Sequence, residues 1–216
     1  MSSLFASRLR TLGLRKDGRR ARANYMTTPE PLTSETFDAL DAEIRSVFQP
    51  SEIIRPDDIR GSHQTLEEAI LISGWPTLDY ARGKVVFLLD QRQVGPFYTK
   101  GHPSPEGRVL FTNAQPGSAD AAFIEVNNAT ADPDVVPSLV RKGYLVRTMT
   151  DPSPERIRPN DTKKRDASMA SGAQILSTDY PYDEAASSGY AVHFDHANAR
   201  CNPVLKPANC NSAAIS

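Results

Sequence analysis

The chain has 216 residues, of which 39% are hydrophobic and 24% are charged, and its formal net charge is -1. This composition is ordinary for one soluble α/β domain, and the total charge excludes a strongly basic nucleic-acid-binding protein. No apolar run approaches the roughly 20 residues needed to cross a bilayer, and residues 1–15 lack the continuous apolar core of a secretory signal.

The first predicted segment, residues 1–32, is a basic tail. Between positions 8 and 22 a single acid, Asp17, accompanies seven basic residues: Arg8, Arg10, Arg15, Lys16, Arg19, Arg20 and Arg22. A basic, acid-poor opening is typical of a solvated tail, a nucleic-acid arm or a targeting peptide. Because only one basic cluster occurs and no aromatic platform accompanies it, we predict a disordered tail.

Helices are predicted next along the chain. Thr33 or Ser34 can cap a helix whose apolar residues recur at helical spacing: Phe37, Leu40, Ile44, Val47 and Phe48. Prolines bound a loop over residues 50–56. A capping box at residues 65–68 opens a short helix that continues through residue 70, and another short helix is predicted over residues 77–82.

The period then changes from helical to extended. Apolar runs predict strands over residues 84–90, 108–112, 122–127, 144–148 and 173–179. Helices are predicted between the last three runs, one ending at Gly143 and one running from Asp161 to Gly172. Alternating strands and helices predict a parallel sheet with helical crossovers. Residues 190–194 are predicted as a final edge strand.

Polar residues follow or end each apolar run. The residues selected as candidate site residues are Asp90, Glu125, Asn127, Arg147, Asp179 and Tyr180. Because parallel strands place their carboxyl ends on one face, these side chains are expected to share a pocket there. The alternative is that such residues only meet solvent where the chain leaves the core. Five consecutive strands ending in this way favour the shared pocket.

Eight segments carry a resemblance to a known family. They are FDALDAEIR (37–45), PDDIRG (56–61), GWPTL (74–78), ARGKVVFLLD (81–90), GYLVRT (143–148), NDT (160–162), SGAQILSTDYP (171–181) and ARCNPV (199–204). In order and spacing they resemble the calcium-dependent phosphatidylinositol-specific phospholipases C of actinobacteria, relatives of the glycerophosphodiester phosphodiesterases. The resemblance extends from about Phe37 to Cys210.

The resemblance implies the C-terminal part of a TIM barrel over residues 33–200, with the first barrel strands missing. It implies a phosphoric diester hydrolase that cleaves a phosphoinositide into diacylglycerol and inositol phosphate. In that family two histidines perform acid–base catalysis, calcium is the cofactor, and the protein is usually secreted. No equivalent of the histidine pair is found, so the catalytic residues stay unassigned and this chain alone is expected to show little or no cleavage.

The histidines of this chain are predicted to have no catalytic role. They are His63 in a loop, His102 in a turn, and His193 and His196 after the last barrel strand. His193 and His196 could chelate a metal with Asp195, but no third ligand of fixed spacing supports such a site. No metal ligand set is therefore predicted.

The expected partner is a phosphoinositide lipid or an inositol phosphate. Arg147 can pair with the phosphate, Asp179 and Tyr180 can hold the inositol ring, and Glu125 and Asn127 can complete the rim. The alternative for Arg147 and Asp179 is an internal salt bridge. The rival functions are a silent half-barrel that binds or assembles, pairing with another chain through its open sheet edges, and a glycerophosphodiester phosphodiesterase.

The two cysteines, Cys201 and Cys210, lie close together in the predicted C-terminal tail, residues 201–216. A local disulfide is favoured over a metal site, because no histidine or second cysteine pair accompanies them.

Overall fold

The computed structural model describes residues 31–152, 157–158, 161–181, 185–194, 199–205, 210–212 and 215. Nearly all of the predicted basic tail, residues 1–32, lies outside the described residues, so its predicted disorder stays a prediction. Asp195 and His196, the proposed partners of His193, also lie outside them.

Helix α1 (Ser34–Val47) begins where the sequence predicts. The Thr33 hydroxyl caps it by accepting a hydrogen bond from the Thr36 backbone N–H at 3.3 Å. The helix buries Phe37, Ile44 and one acid, Asp41. Apolar residues at helical spacing thus account for the buried face, while the burial of Asp41 needs a partner.

The remaining helices are short. They are α2 (Pro56–Arg60), α3 (Leu66–Ile72), α4 (Leu78–Ala81), α5 (Gly95–Tyr98), α6 (Val135–Arg141) and α7 (Lys163–Ala170), with 3-10 turns at Pro50–Glu52 and Arg92–Val94. The strands are β1 (Ile53–Ile54), β2 (Val85–Leu89), β3 (Leu110–Thr112), β4 (Phe123–Glu125), β5 (Leu145–Met149) and β6 (Ile175–Ser177). No described helix is long and apolar enough to cross a membrane.

All strand ladders are parallel, and neighbours in space follow chain order. Strands β1, β2 and β3 form one sheet and β4, β5 and β6 form another. An isolated parallel bridge between Asn113 and Phe123 joins the two sheets. The described strands do not close into a barrel. The predicted fold class, parallel strands with helical crossovers in an incomplete barrel, is confirmed.

Two local predictions differ from the structure. The loop predicted between Pro50 and Pro56 contains β1, which pairs with Val85 and Val86 of β2. Two residues are too few to show a sequence period, so only pairing reveals this strand. Residues 190–194 do not form the predicted strand: Val192 makes an isolated parallel bridge to Pro181, and Phe194 is likewise a single bridge residue.

Side chains of β2 alternate between two apolar clusters. Phe87 and Leu89 pack against the cluster that contains Phe37 of α1, whereas Val86 and Leu88 pack against the cluster that contains Phe111. Successive strand residues point to opposite faces, so Asp90 follows β2 on the Val86 and Leu88 side. The apolar packing of β2 therefore decides which face receives the Asp90 carboxylate.

A buried polar network fastens α1 to the start of β3. Asp41 is 2% exposed, and its carboxylate accepts from the Tyr98 hydroxyl at 2.8 Å and from Arg108 Nη1 at 3.4 Å. The Tyr98 oxygen accepts the backbone N–H groups of Val109 (2.8 Å) and Leu110 (2.7 Å). Burial raises the pKa of Tyr98, which keeps the hydroxyl protonated as the donor to Asp41.

Candidate functional site

The carboxyl ends of β2, β3, β4 and β5 bring polar side chains together. We call Asp90, Asn113, Glu125, Asn127 and Arg147 the strand-end cluster. Arg147 Nη1 donates to Asp90 Oδ1 at 3.0 Å and also to Glu125 Oε1. Glu125 and Arg147 are paired positions of β4 and β5, so strand register places them side by side.

Asn113 connects the members of the strand-end cluster. It is 5% exposed, and its Nδ2 donates to the Asp90 backbone carbonyl at 2.8 Å and to Glu125 Oε2 at 3.1 Å. Its Oδ1 accepts from the Glu125 backbone N–H at 3.0 Å and from Arg92 Nη2 at 3.2 Å. Because both the nitrogen and the oxygen of this buried amide are hydrogen-bonded, Asn113 holds the Glu125 carboxylate in one orientation.

The electrostatics of the cluster centre on Glu125. Burial raises the pKa of the Glu125 carboxyl, and the negative charge of Asp90 acts in the same direction. The hydrogen bond from Asn127 and the guanidinium of Arg147 oppose this rise without reversing it. Glu125 therefore gains a proton at a higher pH than an ordinary glutamate.

Asp179 and Tyr180 lie in a different network. The backbone N–H of Asp179 donates to Asp151 Oδ2 at 2.6 Å, and the Thr178 hydroxyl donates to Asp151 Oδ1 at 2.7 Å. The ring of Tyr180 contacts that of Tyr190 edge-on, with centroids 5.8 Å apart. Buried Asp151 thus holds the segment after β6, and this segment carries Asp179 and Tyr180.

The ion pair considered between Arg147 and Asp179 is not the one that forms. Arg147 is paired in register with Ile175, so Asp179 lies beyond the end of β6. The carboxylates that Arg147 contacts are those of Asp90 and Glu125. The internal salt bridge that was the alternative for Arg147 therefore exists, with Asp90 and Glu125 as its partners and not Asp179.

The hydrogen bonds of His63 and His102 are made outside the strand-end cluster. His63 Nε2 is 2.9 Å from the Ser73 hydroxyl, and His102 Nδ1 is 2.7 Å from the Glu106 carbonyl oxygen. His193 follows Val192, whose bridge to Pro181 lies after β6. The acid–base pair of the family is not assigned among these residues.

Comparison with known proteins supplies the family. The sequence model of the calcium-dependent phosphoinositide phospholipases C matches residues 11–203. The chain belongs to this family. Comparison with curated proteins and with solved structures found no match. The family match begins at residue 11, earlier than the resemblance read from Phe37, and so includes part of the predicted tail.

A member of the calcium-dependent phosphoinositide phospholipase C family is expected to bind calcium. Calcium takes about six to eight oxygen ligands, with several carboxylates among them. The described ranges contain no group of three or more histidine, cysteine, aspartate or glutamate side chains that could hold a metal ion. Asp90 and Glu125 are also bonded to Arg147. The described residues therefore do not fit a calcium ion.

The cysteines of this phospholipase C family member are joined. Cys201 and Cys210 form a disulfide whose Cα atoms lie 6.1 Å apart. The Cys201 backbone N–H also donates to the Ser212 hydroxyl at 3.0 Å, which gives residues 201 and 212 a second connection besides the disulfide.

Sequence reasoning missed two polar residues of this phospholipase C family member. Arg92 and Asp151 each lie just past the end of a strand, β2 and β5. The rule that selected Asp90 selects them as well, if it is extended by three residues beyond each apolar run. Their roles depend on hydrogen bonds to residues far away in the sequence, and local sequence patterns do not predict such bonds.

Proposed function

We propose that the strand-end cluster binds the phosphorylated headgroup of phosphatidylinositol, and that this binding serves cleavage of the lipid into diacylglycerol and inositol phosphate. One observation carries the proposal: Arg147 places its guanidinium at the carboxyl ends of parallel strands, between Asp90 and Glu125. A guanidinium binds a phosphate through two parallel N–H···O bonds, and this geometry suits a phosphodiester.

The ion pairs of Arg147 leave room for a phosphate. The side chain of Glu125 is 14% exposed, whereas that of Asp90 is 55% exposed. Both carboxylates accept from Nη1, which leaves Nη2 and Nε as further donors. A solvent-exposed ion pair is worth only about 0–1 kcal/mol, so a bound phosphodiester can displace Asp90.

A second candidate function is binding without cleavage. Cleavage needs a base on the inositol hydroxyl and an acid on the diacylglycerol oxygen, in addition to a cation on the phosphate. In the described part of the chain, His63 and His102 are bonded in loops away from the strand-end cluster. A headgroup-binding fragment and a glycerophosphodiester phosphodiesterase would use the same cluster. The test therefore compares the binding of different ligands.

Binding of glycerophosphoinositol to the whole chain tests the proposal. Replacing Arg147 with alanine is expected to weaken this binding by about tenfold or more, because a charge-assisted bond to a phosphate is lost. Isothermal titration calorimetry measures the change. Arg141→Ala is the matched control, since Arg141 is an exposed arginine at the end of α6.

Glycerophosphocholine serves as the headgroup comparison in the same titration. The proposal predicts weaker binding of the choline compound, because it lacks the inositol ring hydroxyls. Carboxylates can accept hydrogen bonds from these hydroxyls, and amide N–H groups can donate to them. Equal effects of Arg147→Ala and Arg141→Ala would contradict the placement of the phosphate at Arg147.

The raised pKa of Glu125 predicts a pH dependence of headgroup binding. As the pH falls from about 7.5 toward the ordinary glutamate pKa of about 4.3, Glu125 in the folded chain protonates early, and Arg147 loses one opposing charge. Binding of glycerophosphoinositol should therefore tighten by about fivefold, the effect of one unit charge at ~4 Å in a water-like dielectric.

Calorimetry at several pH values measures this change. The ligand suits the test because its phosphodiester keeps one negative charge throughout the range. Glu125→Gln removes the titrating group and is expected to flatten the profile. A wild-type affinity that stays constant or falls as the pH is lowered would count against the role assigned to Glu125.

A further inference from the structure

A pocket adjoins the strand-end cluster at Asn113, between the segment after β2 and the loop after β3. Its volume is about 340 Å³, which is within the range of roughly 300–1,000 Å³ seen for small-molecule sites. The polar residues that line it are Arg92, Thr99, Asn113, Gln115, Ser118 and Asp120. Four of these come from the loop that connects β3 to β4, which contains no helix.

Arg92 gives the pocket a positive charge. Its side chain is exposed, and Nη2 donates to Asn113 Oδ1 at 3.2 Å. Within residues 31–152, which the structure describes without a gap, no carboxylate forms a salt bridge with Arg92, whereas Arg147 forms two. A guanidinium with several N–H donors left over is suited to a phosphate group.

Asp120 and Gln115 provide groups that can hydrogen-bond to hydroxyls. Asp120 Oδ2 accepts from the Thr112 hydroxyl at 2.7 Å, which orients the carboxylate and leaves Oδ1 as a further acceptor. The Gln115 residue is exposed and adds an amide to the lining. A carboxylate repels a bare anion but accepts hydrogen bonds from hydroxyl groups.

We infer that this pocket binds a small phosphorylated polyol, with the phosphate at Arg92 and the ring or chain hydroxyls at Asp120 and Gln115. One molecule that carries both groups satisfies both ends of the pocket, whereas inorganic phosphate meets Asp120 unfavourably and a neutral polyol leaves Arg92 without an anion. The site is distinct from the phosphate position proposed at Arg147, although Asn113 lines the pocket and also bonds Glu125, a partner of Arg147.

The test is a calorimetric titration of the full chain carrying Arg147→Ala, a background that removes the proposed headgroup site. The probes are inositol 1-phosphate, inorganic phosphate and myo-inositol, each titrated separately. Inositol 1-phosphate is expected to bind more tightly than the other two. Adding Arg92→Gln should weaken its binding by about tenfold or more, and adding the control Arg141→Gln should leave it unchanged.

A second variant separates the two ends of the ligand. Asp120→Asn is expected to weaken the binding of inositol 1-phosphate and to leave or improve the binding of inorganic phosphate. Far-UV circular dichroism and a melting curve show that each variant is folded. The inference is overturned if inositol 1-phosphate fails to bind in the Arg147→Ala background, if phosphate alone binds equally well, or if Arg92→Gln has no effect. Failure of the headgroup proposal would instead appear as an affinity for glycerophosphoinositol that Arg147→Ala leaves unchanged.

Discussion

Replacing Asp41 with alanine is expected to lower the free energy of unfolding by about 3–5 kcal/mol. Asp41 is 2% exposed and accepts hydrogen bonds from Tyr98 and Arg108. Its removal leaves the Arg108 guanidinium buried beside a single, exposed carboxylate, that of Asp38, and leaves the Tyr98 hydroxyl without an acceptor. A buried guanidinium and a buried hydroxyl that each lose a partner cost several times more than a lost surface contact.

Urea denaturation followed by circular dichroism measures the loss. The matched control is Asp38→Ala, which removes the other carboxylate of the same guanidinium. Because the Asp38 side chain is 63% exposed, its removal should cost no more than about 1 kcal/mol. If the two variants lose the same small amount, Arg108 does not depend on Asp41 and the network does not fasten α1.

The second expected result is slow cleavage of phosphatidylinositol by the whole chain, with or without calcium. An acid and a base in place typically accelerate such a reaction by about 10²–10⁴-fold. The strand-end cluster contributes a cation, carboxylates and amides in the described ranges, and His63 and His102 are hydrogen-bonded elsewhere. The family mechanism depends on calcium, and the described residues include no group of three or more metal-binding side chains that could hold the ion.

The measurement is release of inositol phosphate from phosphatidylinositol vesicles, with calcium and with a chelator. Arg147→Ala is compared with the exposed control Arg141→Ala. Rapid turnover that requires calcium and disappears in Arg147→Ala would show that acid–base groups are supplied by residues assigned no role here. Slow release that both variants share, together with headgroup binding that depends on Arg147, is the expected outcome.

Local patterns in the sequence were enough to predict most of the elements and some of the strand-end side chains that lie together. The Thr33 cap and the apolar spacing of Phe37 and Ile44 predicted α1, and the apolar run before Asp90 predicted β2. These signals are local, because capping and side-chain period involve residues within a few positions of one another. The strand-end rule then predicted that Asp90, Glu125 and Arg147 would lie together, since parallel strands share one end.

The choice of partners was decided by tertiary structure alone. Arg147 pairs with residues 57 and 22 positions earlier, Asp90 and Glu125, and not with Asp179, because register sets Arg147 opposite Ile175. Register depends on how whole strands pack, and a shift of one residue would turn every side chain to the other face. The burial of Asp41 has the same origin: on α1 it resembles any exposed acid, and only the approach of Tyr98 and Arg108 gives it a buried partner.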